Sequence, residues 1–224
     1  MKLTSIFPVQ TQTEISNVED LKDFYPALTG FKFNHVVSAN SPALNSDDVS
    51  SVADRLVLKA IRASSDLIVT TGKTARAEQL NASQFAPLLI VTRQDFLECP
   101  ATQNQSREKV FVTCEPKEFP NPNSSGVGPV KEPLHQWLLD FCSKNGFINV
   151  VLESGIETLR ELIPTAIIKE LCLTVTGSTS KDSSDETATQ FLKPLGVVAQ
   201  LIQLLEIDQD YFYRFSLTNA AIES

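Results

Sequence analysis

Short apolar runs alternate with helical patterns along most of the chain. Runs with the length and composition of strands cover residues 31–37, 67–70, 88–92, 110–113, 148–152 and 171–175. Apolar residues at helical spacing follow residues 51, 134 and 156. Two last runs, 197–205 and 211–217, flank a short polar turn and predict an antiparallel hairpin. The pattern predicts an α/β fold with a mainly parallel central sheet, helices on both faces and a C-terminal antiparallel hairpin.

Two segments lack this regularity. Residues 1–15 show no clear period, which predicts an extended lead-in, and residues 177–190 are rich in Ser, Thr and Asp, which predicts a mobile exposed loop. In the helix from residue 51, the spacing places Val52 and Leu56 inside and Arg62 on the opposite, polar side. A length of 224 residues suits one domain, residues 1–224.

Composition narrows the class of partner. Nineteen basic residues against 27 acidic ones give a net charge of -8, which argues against nucleic acid or an anionic membrane as partner. The four cysteines form no CxxC pair, and His35 and His135 fit no metal motif, so we expect no metal. Without an apolar run of membrane-spanning length or a signal peptide, the chain is predicted to be cytoplasmic.

Candidate chemistry lies where the predicted strands end. Residues 67–74 form a buried strand that runs into a Gly/Thr turn and a helix start, an arrangement that can hold phosphate. Ligands of such sheets bind at the carboxyl ends of the strands, where residues 92–93 and 153–155 also fall. Plainer interpretations stay open: an ordinary turn at 70–74, a solvated Arg62, and a Glu153 that only caps the next helix.

The order of several short segments resembles the pyrimidine reductases of riboflavin biosynthesis, a branch of the dihydrofolate reductase-like fold. The resemblance extends over about residues 25–215 and rests on residues 38–41, 50–55, 61–63, 70–78, 91–93, 153–158 and 168–176. In the family these segments read S-L-D-G, S-S-P-A-D-R, L-R-A, V-G-x-G-T-V-R-A-E, V-x-S/T-R, E-G-G-P-T-L and L-V-D-E-L-x-L-T-V-S-P.

This resemblance implies a single reductase-like domain that transfers a hydride from NADPH. The implied substrate is 5-amino-6-(5-phosphoribosylamino)uracil or a related phosphorylated pyrimidine, and the implied assembly is a homodimer. The implied cofactor-binding residues are Thr71, Gly72, Thr74, Thr92, Arg93, Ser154 and Gly155. The implied substrate-binding residues are Asn34, Ser38, Arg62 and Glu153, and the implied catalytic residues are Asn40 and Glu153.

Four site positions depart from the family pattern. Asn40 replaces the Asp of S-L-D-G, and Ser41 replaces its Gly. In the E-G-G-P-T-L segment, Ser154 replaces the first Gly and Glu157 replaces the Thr. An asparagine can form hydrogen bonds but carries no charge and takes no proton. Two alternatives therefore stay open: an inactive paralogue that binds or regulates, and a reductase with a different substrate.

Overall fold

Eleven strands of the described chain form one sheet. The computed structural model describes residues 1–39, 50–93 and 98–219. The strands are β1 (Lys2–Phe7), β2 (Thr11–Glu14), β3 (Gly30–Ser38), β4 (Leu67–Thr71), β5 (Leu88–Val91), β6 (Val110–Val112), β7 (Ser124–Gly126), β8 (Asn149–Glu153), β9 (Ile168–Thr176), β10 (Val197–Ile207) and β11 (Asp210–Asn219).

Six α-helices and three short 3-10 turns connect the strands within the described residues. The helices are α1 (Val52–Ala63), α2 (Gly72–Ala77), α3 (Pro100–Gln103), α4 (Leu134–Asn145), α5 (Ile156–Leu162) and α6 (Lys181–Leu192). The 3-10 turns are Glu19–Leu21, Ile163–Thr165 and Lys193–Leu195.

The strand order is β2-β1-β10-β11-β9-β3-β8-β4-β5-β6-β7. Every pair from β9 to β7 is parallel, whereas the pairs that join β9, β11, β10, β1 and β2 are antiparallel. The predicted mainly parallel sheet and C-terminal hairpin are confirmed. The β10–β11 hairpin lies inside the sheet, because β1 and β2 continue beyond it.

A hydrophobic core lies on each face of the sheet. Side chains alternate along a strand, so Ile68 of β4 joins one core while its neighbours Leu67 and Val69 join the other. Helices α1, α2 and α3 contribute buried residues to the first core, and α4, α5 and α6 contribute to the second. The sheet is therefore covered on both faces, as the near-continuous apolar strands predicted.

The N-terminal segment differs from the prediction. Residues 1–15 are extended, but they form β1 and β2, and β1 pairs with β10 along its length. Leu3 and Ile15 are fully buried in the core on the α1 side. This segment shows no obvious period because β2 is exposed throughout and only a few residues of β1 face the core.

The predicted mobile loop at residues 177–190 is also corrected, because α6 begins at Lys181. The Ser180 hydroxyl caps this helix by accepting a hydrogen bond from the Ser183 amide, and Ala188 is buried against the sheet. Tyr213 of β11 donates to Asp185 at 2.6 Å and lies 2.9 Å from the Ser184 hydroxyl. Long-range contacts thus hold a helix that its composition alone does not predict.

Helix α1 is rotated relative to the predicted orientation. Val52, expected inside, is 74% exposed, whereas Ala53, Asp54, Val57 and Ile61 are buried. This rotation turns Arg62 towards the sheet instead of towards solvent.

Candidate functional site

Three parallel strands bring polar residues to one level at the carboxyl end of the sheet. Glu153 of β8 is in register with Asn34 of β3 and with Thr70 of β4. The residue before each of them belongs to the core on the α4–α6 side. Because side chains alternate along a strand, all three face α1.

Arg62 and Glu153 form a two-pronged ion pair in this row. Arg62 Nε donates to Glu153 Oε1 at 2.9 Å and Nη2 donates to Oε2 at 2.5 Å. The two side chains are only 20% and 13% exposed. Burial opposes the charge on Arg62, but the Glu153 carboxylate beside it, together with Glu78, raises the pKa of the guanidinium above its ordinary value. Arg62 is therefore not part of a solvated helix face.

A second carboxyl group, Asp54, is buried near this pair. The Ser50 hydroxyl donates to Asp54 Oδ2 at 2.9 Å, and Thr174 of β9 also hydrogen-bonds this side chain. Burial raises the pKa of Asp54, and the charge of Glu153 acts in the same direction. Asp54 also follows the N-cap residue Ser51 by three positions, and the Asp54 amide donates to Ser51 Oγ at 2.9 Å.

The turn after β4 is tied together by its own threonines. Thr71 caps α2 by accepting a hydrogen bond from the Thr74 amide at 3.2 Å, and the two hydroxyls lie 3.0 Å apart. Gly72, which follows the cap, is buried against Thr92: a Cβ at Gly72 would lie 2.8 Å from Thr92 Oγ1. Because Gly72 has no side chain, the ends of β4 and β5 approach each other closely, which a larger residue would prevent.

Three buried polar atoms beside this turn have no hydrogen-bond partner among the described residues. They are Thr70 Oγ1, Ser154 Oγ and Arg76 Nη1. Thr70 and Ser154 are 2% and 8% exposed. The next residue, Gly155, has open space where a Cβ would lie. Unpaired buried groups are rare in folded proteins, so this arrangement fits a polar ligand that lies over the ends of β4 and β8.

A pocket of about 440 Å³ continues this edge of the sheet beyond β5. Its lining includes Thr92 and Arg93, and also Glu115, Glu132 and Glu161. The backbone of Thr92 is fixed by Thr113, because the Thr92 amide donates to Thr113 Oγ1 at 2.7 Å and the Thr92 carbonyl accepts from the same hydroxyl. Among the charged residues of the lining, glutamates thus outnumber the single arginine.

Among the described residues, no group of three His, Cys, Asp or Glu side chains could hold a metal ion. No helix in the same part of the chain is long and apolar enough to cross a membrane.

Solved structures match this architecture, although no protein-family model and no curated protein matches the sequence. A pyrimidine reductase-like protein from Corynebacterium diphtheriae superposes with a TM-score of 0.66 and 13% identity, over 92% of this chain and 100% of the other. The riboflavin biosynthesis reductase of Saccharomyces cerevisiae gives a TM-score of 0.59 and 14% identity, over 92% of this chain and 93% of the other. The fold is that of the pyrimidine reductases.

The same fold occurs in larger and more distant proteins. A deaminase/5-amino-6-(5-phosphoribosylamino)uracil reductase from Thermotoga maritima matches with a TM-score of 0.61 and 11% identity, over 90% of this chain and 59% of the other. The present chain thus spans about three fifths of that enzyme. Dihydrofolate reductase from Enterococcus faecalis, complexed with NADP(H), gives a TM-score of 0.50 at 11% identity. The predicted dihydrofolate reductase-like fold is confirmed.

The structure brings together most of the residues that the reductase resemblance singled out. Asn34, Arg62 and Glu153 form one group, and Ser38 ends the same strand as Asn34. The cofactor candidates follow the edge of the sheet in the order Ser154 and Gly155, then Thr71, Gly72 and Thr74, then Thr92 and Arg93. Asn40 and Ser41 lie outside the described residues. Glu157 is exposed and pairs with Arg160 at 2.8 Å.

Sequence reasoning missed Thr70, Arg76 and Asp54. Arg76 was visible as part of the segment 70–78 that resembles the reductases, and Thr70 began the predicted turn at 70–74. Their burial without partners, and the burial of Asp54 beside Glu153, depend on packing between distant segments.

Proposed function

We propose that this protein is a reductase of the pyrimidine reductase type that uses NADPH. The observation that carries the proposal is the row of unpartnered buried groups at Thr70 and Ser154, beside the open space over Gly155 and next to the Arg62–Glu153 pair. Leaving such a hydroxyl unpaired costs about 1–3 kcal/mol, so a ligand that pairs both stabilises the folded protein. The reductase fold makes a nicotinamide dinucleotide the ligand that fits best.

The residues that would hold the cofactor follow the edge of the sheet. Ser154 would donate a hydroxyl hydrogen bond while Gly155 leaves room for a ring or a phosphate. Thr92 and Arg93 would meet the adenosine half in the pocket beyond β5. Arg93 supports NADPH over NADH, because an arginine beside the adenosine ribose accommodates the 2′-phosphate. The bound cofactor supplies the hydride.

The substrate would lie beside the same edge, against Asn34 and Glu153. We propose that it is 5-amino-6-(5-phosphoribosylamino)uracil or a related phosphorylated pyrimidine. Asn34 can both donate to and accept from a sugar or a pyrimidine, and Glu153 can accept from hydroxyl groups. Hydride transfer depends on orientation and charge stabilisation, so a site without a metal or a nucleophile suffices.

The ion pair has a consequence for the predicted role of Arg62. Both oxygens of Glu153 accept hydrogen bonds from Nε and Nη2 of Arg62, so the two charges neutralise each other and Nη1 is the guanidinium nitrogen outside the pair. This mutual neutralisation is the observation that favours the alternative of an inactive paralogue that binds the ligands without turnover. The proposed catalytic roles of Asn40 and Glu153 distinguish the two, because only the reductase needs them.

We also propose that residues 1–224 form one reductase-like domain, and that the protein is a cytoplasmic homodimer. The continuous sheet, with strands from both ends of the described chain, supports a single domain. Size-exclusion chromatography with light scattering tests the dimer.

A cofactor titration tests the proposed function. Thermal shift is measured with NADPH and with NADH up to millimolar concentration, and NADPH oxidation is then followed with the ribosylamino-pyrimidine phosphate. We expect NADPH to stabilise the protein by about 2.7 kcal/mol at one hundred times its dissociation constant. Arg93→Ala should weaken the binding of NADPH more than that of NADH. The control is Arg107→Ala, at a side chain that is 88% exposed, and it should change the binding of neither.

The outcomes separate the candidate functions. Stabilisation by neither dinucleotide excludes both reductase hypotheses. Binding and oxidation of NADPH by the pyrimidine phosphate supports the proposal. Binding without oxidation favours the inactive paralogue or a reductase with a different substrate, and a panel of phosphorylated pyrimidines separates these two.

A further inference from the structure

Arg76 is a partly buried cation that the proposed roles leave unused. It lies in the last turn of α2, the helix that follows the Thr71 cap. Its Nη1 atom is inaccessible to solvent and has no hydrogen-bond partner among the described residues. No Asp or Glu of that part of the chain forms an ion pair with it within 4.0 Å, whereas the other partly buried arginines, Arg62 and Arg214, both pair with a glutamate.

A guanidinium in this state lacks a hydrogen-bond acceptor for one of its nitrogen atoms. Each of its N–H groups is an obligate donor that cannot lose its charge in a protein. Burying one without an acceptor is costly, and the cost is largest for a charged group. The fold therefore holds Arg76 ready for an acceptor from outside the described chain, and the strongest acceptors for its forked donors are carboxylate and phosphate.

The position of Arg76 brings its guanidinium close to the pocket beyond β5. Its Nη1 lies 3.4 Å from the point where a Cβ of Gly72 would be, and Thr92 Oγ1 lies 2.8 Å from the same point. The guanidinium is thus next to Thr92, which lines the pocket beside Arg93. Gly72 is the residue that permits this approach, since a side chain there would separate the two.

The charged residues of the pocket favour a second cation for an anionic ligand. Glu115, Glu132 and Glu161 line the pocket together with Arg93. The net negative charge of this lining disfavours a phosphate that meets Arg93 alone. A group that binds at the Thr92 end, between Arg93 and Arg76, gains the attraction of both guanidiniums.

We propose that Arg76 binds the 2′-phosphate of the adenosine half of NADPH and, with Arg93, determines the preference for NADPH over NADH. The inference rests on the proposed function for the identity of the dinucleotide. It adds a specificity-determining residue from α2 to a preference that the proposed function assigns to Arg93 alone. Because Arg76 would touch only the 2′-phosphate, it should matter little for ligands that lack this group.

Binding of nucleotide fragments tests Arg76 without requiring turnover. Isothermal titration is carried out with 2′,5′-ADP, 5′-AMP, NADPH and NADH on the wild-type protein and on Arg76→Gln and Arg76→Lys. Arg107→Gln is the matched control, because it removes the same charge from an 88% exposed side chain. Thermal unfolding of each variant without ligand checks that it is folded.

We expect Arg76→Gln to weaken 2′,5′-ADP and NADPH by about tenfold or more, as for loss of a charged hydrogen bond. The affinities for 5′-AMP and NADH should stay within about twofold, the smaller change expected where no contact is lost. Arg76→Lys should recover part of the affinity, because a lysine keeps the charge but loses the fork. Arg107→Gln should match the wild type for all four ligands.

Each other result decides the inference, the proposed function or both. Unchanged 2′,5′-ADP affinity in Arg76→Gln excludes Arg76 and leaves the reductase proposal standing. Equal losses for 2′,5′-ADP and 5′-AMP assign Arg76 to a phosphate shared by both ligands and refute the 2′ assignment. If the wild type binds none of the four nucleotides, the inference and the proposed function both fail. Selective loss of 2′,5′-ADP in a protein that never oxidises NADPH upholds Arg76 and refutes only the reductase.

Discussion

At the residue scale, two glycines of the site have opposite surroundings. A Cβ at Gly72 would lie 2.8 Å from the Thr92 hydroxyl, closer than real contacts allow, so Gly72 is needed by the fold. A Cβ at Gly155 would meet no atom of the described residues within 4 Å, and the Gly155 φ of -65° suits any residue. The fold itself therefore does not require a glycine at position 155, whereas the proposed ligand over Ser154 would require one.

Gly155→Ala should consequently weaken the cofactor without unfolding the protein. We expect a loss of stability below about 1 kcal/mol, the usual difference between glycine and alanine at an N-cap. We also expect at least about tenfold weaker dinucleotide binding, because the methyl group occupies the space beside the nicotinamide or the phosphates. Thermal unfolding and fluorescence titration measure the two effects. Unchanged affinity would mean that the ligand binds elsewhere. Gly72→Ala, in contrast, should clearly lower the stability, because the added methyl group would collide with Thr92.

The same scale marks the limit of what the sequence could predict about the site. The segment order predicted candidate residues that the structure places along one edge of the sheet, at the ends of β3, β4, β5 and β8. It could not reveal that Arg62 pairs with Glu153, because 91 positions separate them and α1 is rotated from the predicted face. Unpartnered atoms such as Thr70 Oγ1 are likewise a property of packing, and no sequence pattern records them.

At the scale of elements, the sequence predicted strands and helices wherever burial dominates. The apolar strands β4, β5 and β8 and the amphipathic helix α4 lie within a residue or two of the predicted positions. Prediction failed for α6, whose polar sequence offers Ala188, the partly buried Phe191 and Leu192, and the hydrogen bonds of Tyr213. Such a helix is defined by the sheet beneath it, which the local pattern does not contain.

Three strands are also joined by a buried ion cluster that the sequence did not indicate. Glu170 of β9 accepts two hydrogen bonds from Arg214 of β11, at 3.0 and 2.9 Å. Lys32 of β3 lies 3.7 Å from the same carboxylate, and the Lys32 and Glu170 side chains are each 4% exposed. Burial alone would raise the pKa of Glu170, but the hydrogen bonds from Arg214 and the charge of Lys32 lower it below the ordinary 4.5.

Glu170→Gln should therefore destabilise the protein by about 3 kcal/mol near pH 7, because two buried cations lose their counter-charge. The pKa is depressed in the folded state, so the carboxylate stabilises the protein above the unfolded value of about 4.5 and loses this effect as the pH falls through the folded value. Urea unfolding at several pH values should show that the difference in unfolding free energy between wild type and variant narrows only as the pH falls below about 4.5. Glu19→Gln, at a 71% exposed side chain, is the control and should change stability by less than about 0.5 kcal/mol. A gap that stays constant down to pH 3 would contradict this assignment.

At the scale of the whole molecule, the sheet joins the two ends of the described chain. β1 inserts beside β10, with Leu3 in register with Ile207, and both residues are fully buried. The first residues thus complete the core on the α1 side, the face on which Arg62 and Glu153 meet. An N-terminal segment that the local pattern suggests is a lead-in is, in the fold, part of the support beneath the site.

Leu3→Ala tests this support. Truncating a fully buried leucine should cost about 2–5 kcal/mol, since the lost transfer energy adds to that of the cavity left behind. Val9→Ala, in the β1–β2 turn and 64% exposed, should change stability by less than about 0.5 kcal/mol. Because Leu3 touches no proposed ligand residue, dinucleotide affinity below the melting transition should be the same in both variants. Equal stabilities of the two variants in urea would mean that β1 is not docked on the sheet. Reduced dinucleotide affinity in a folded Leu3→Ala protein would mean that β1 positions the site as well as stabilising the core.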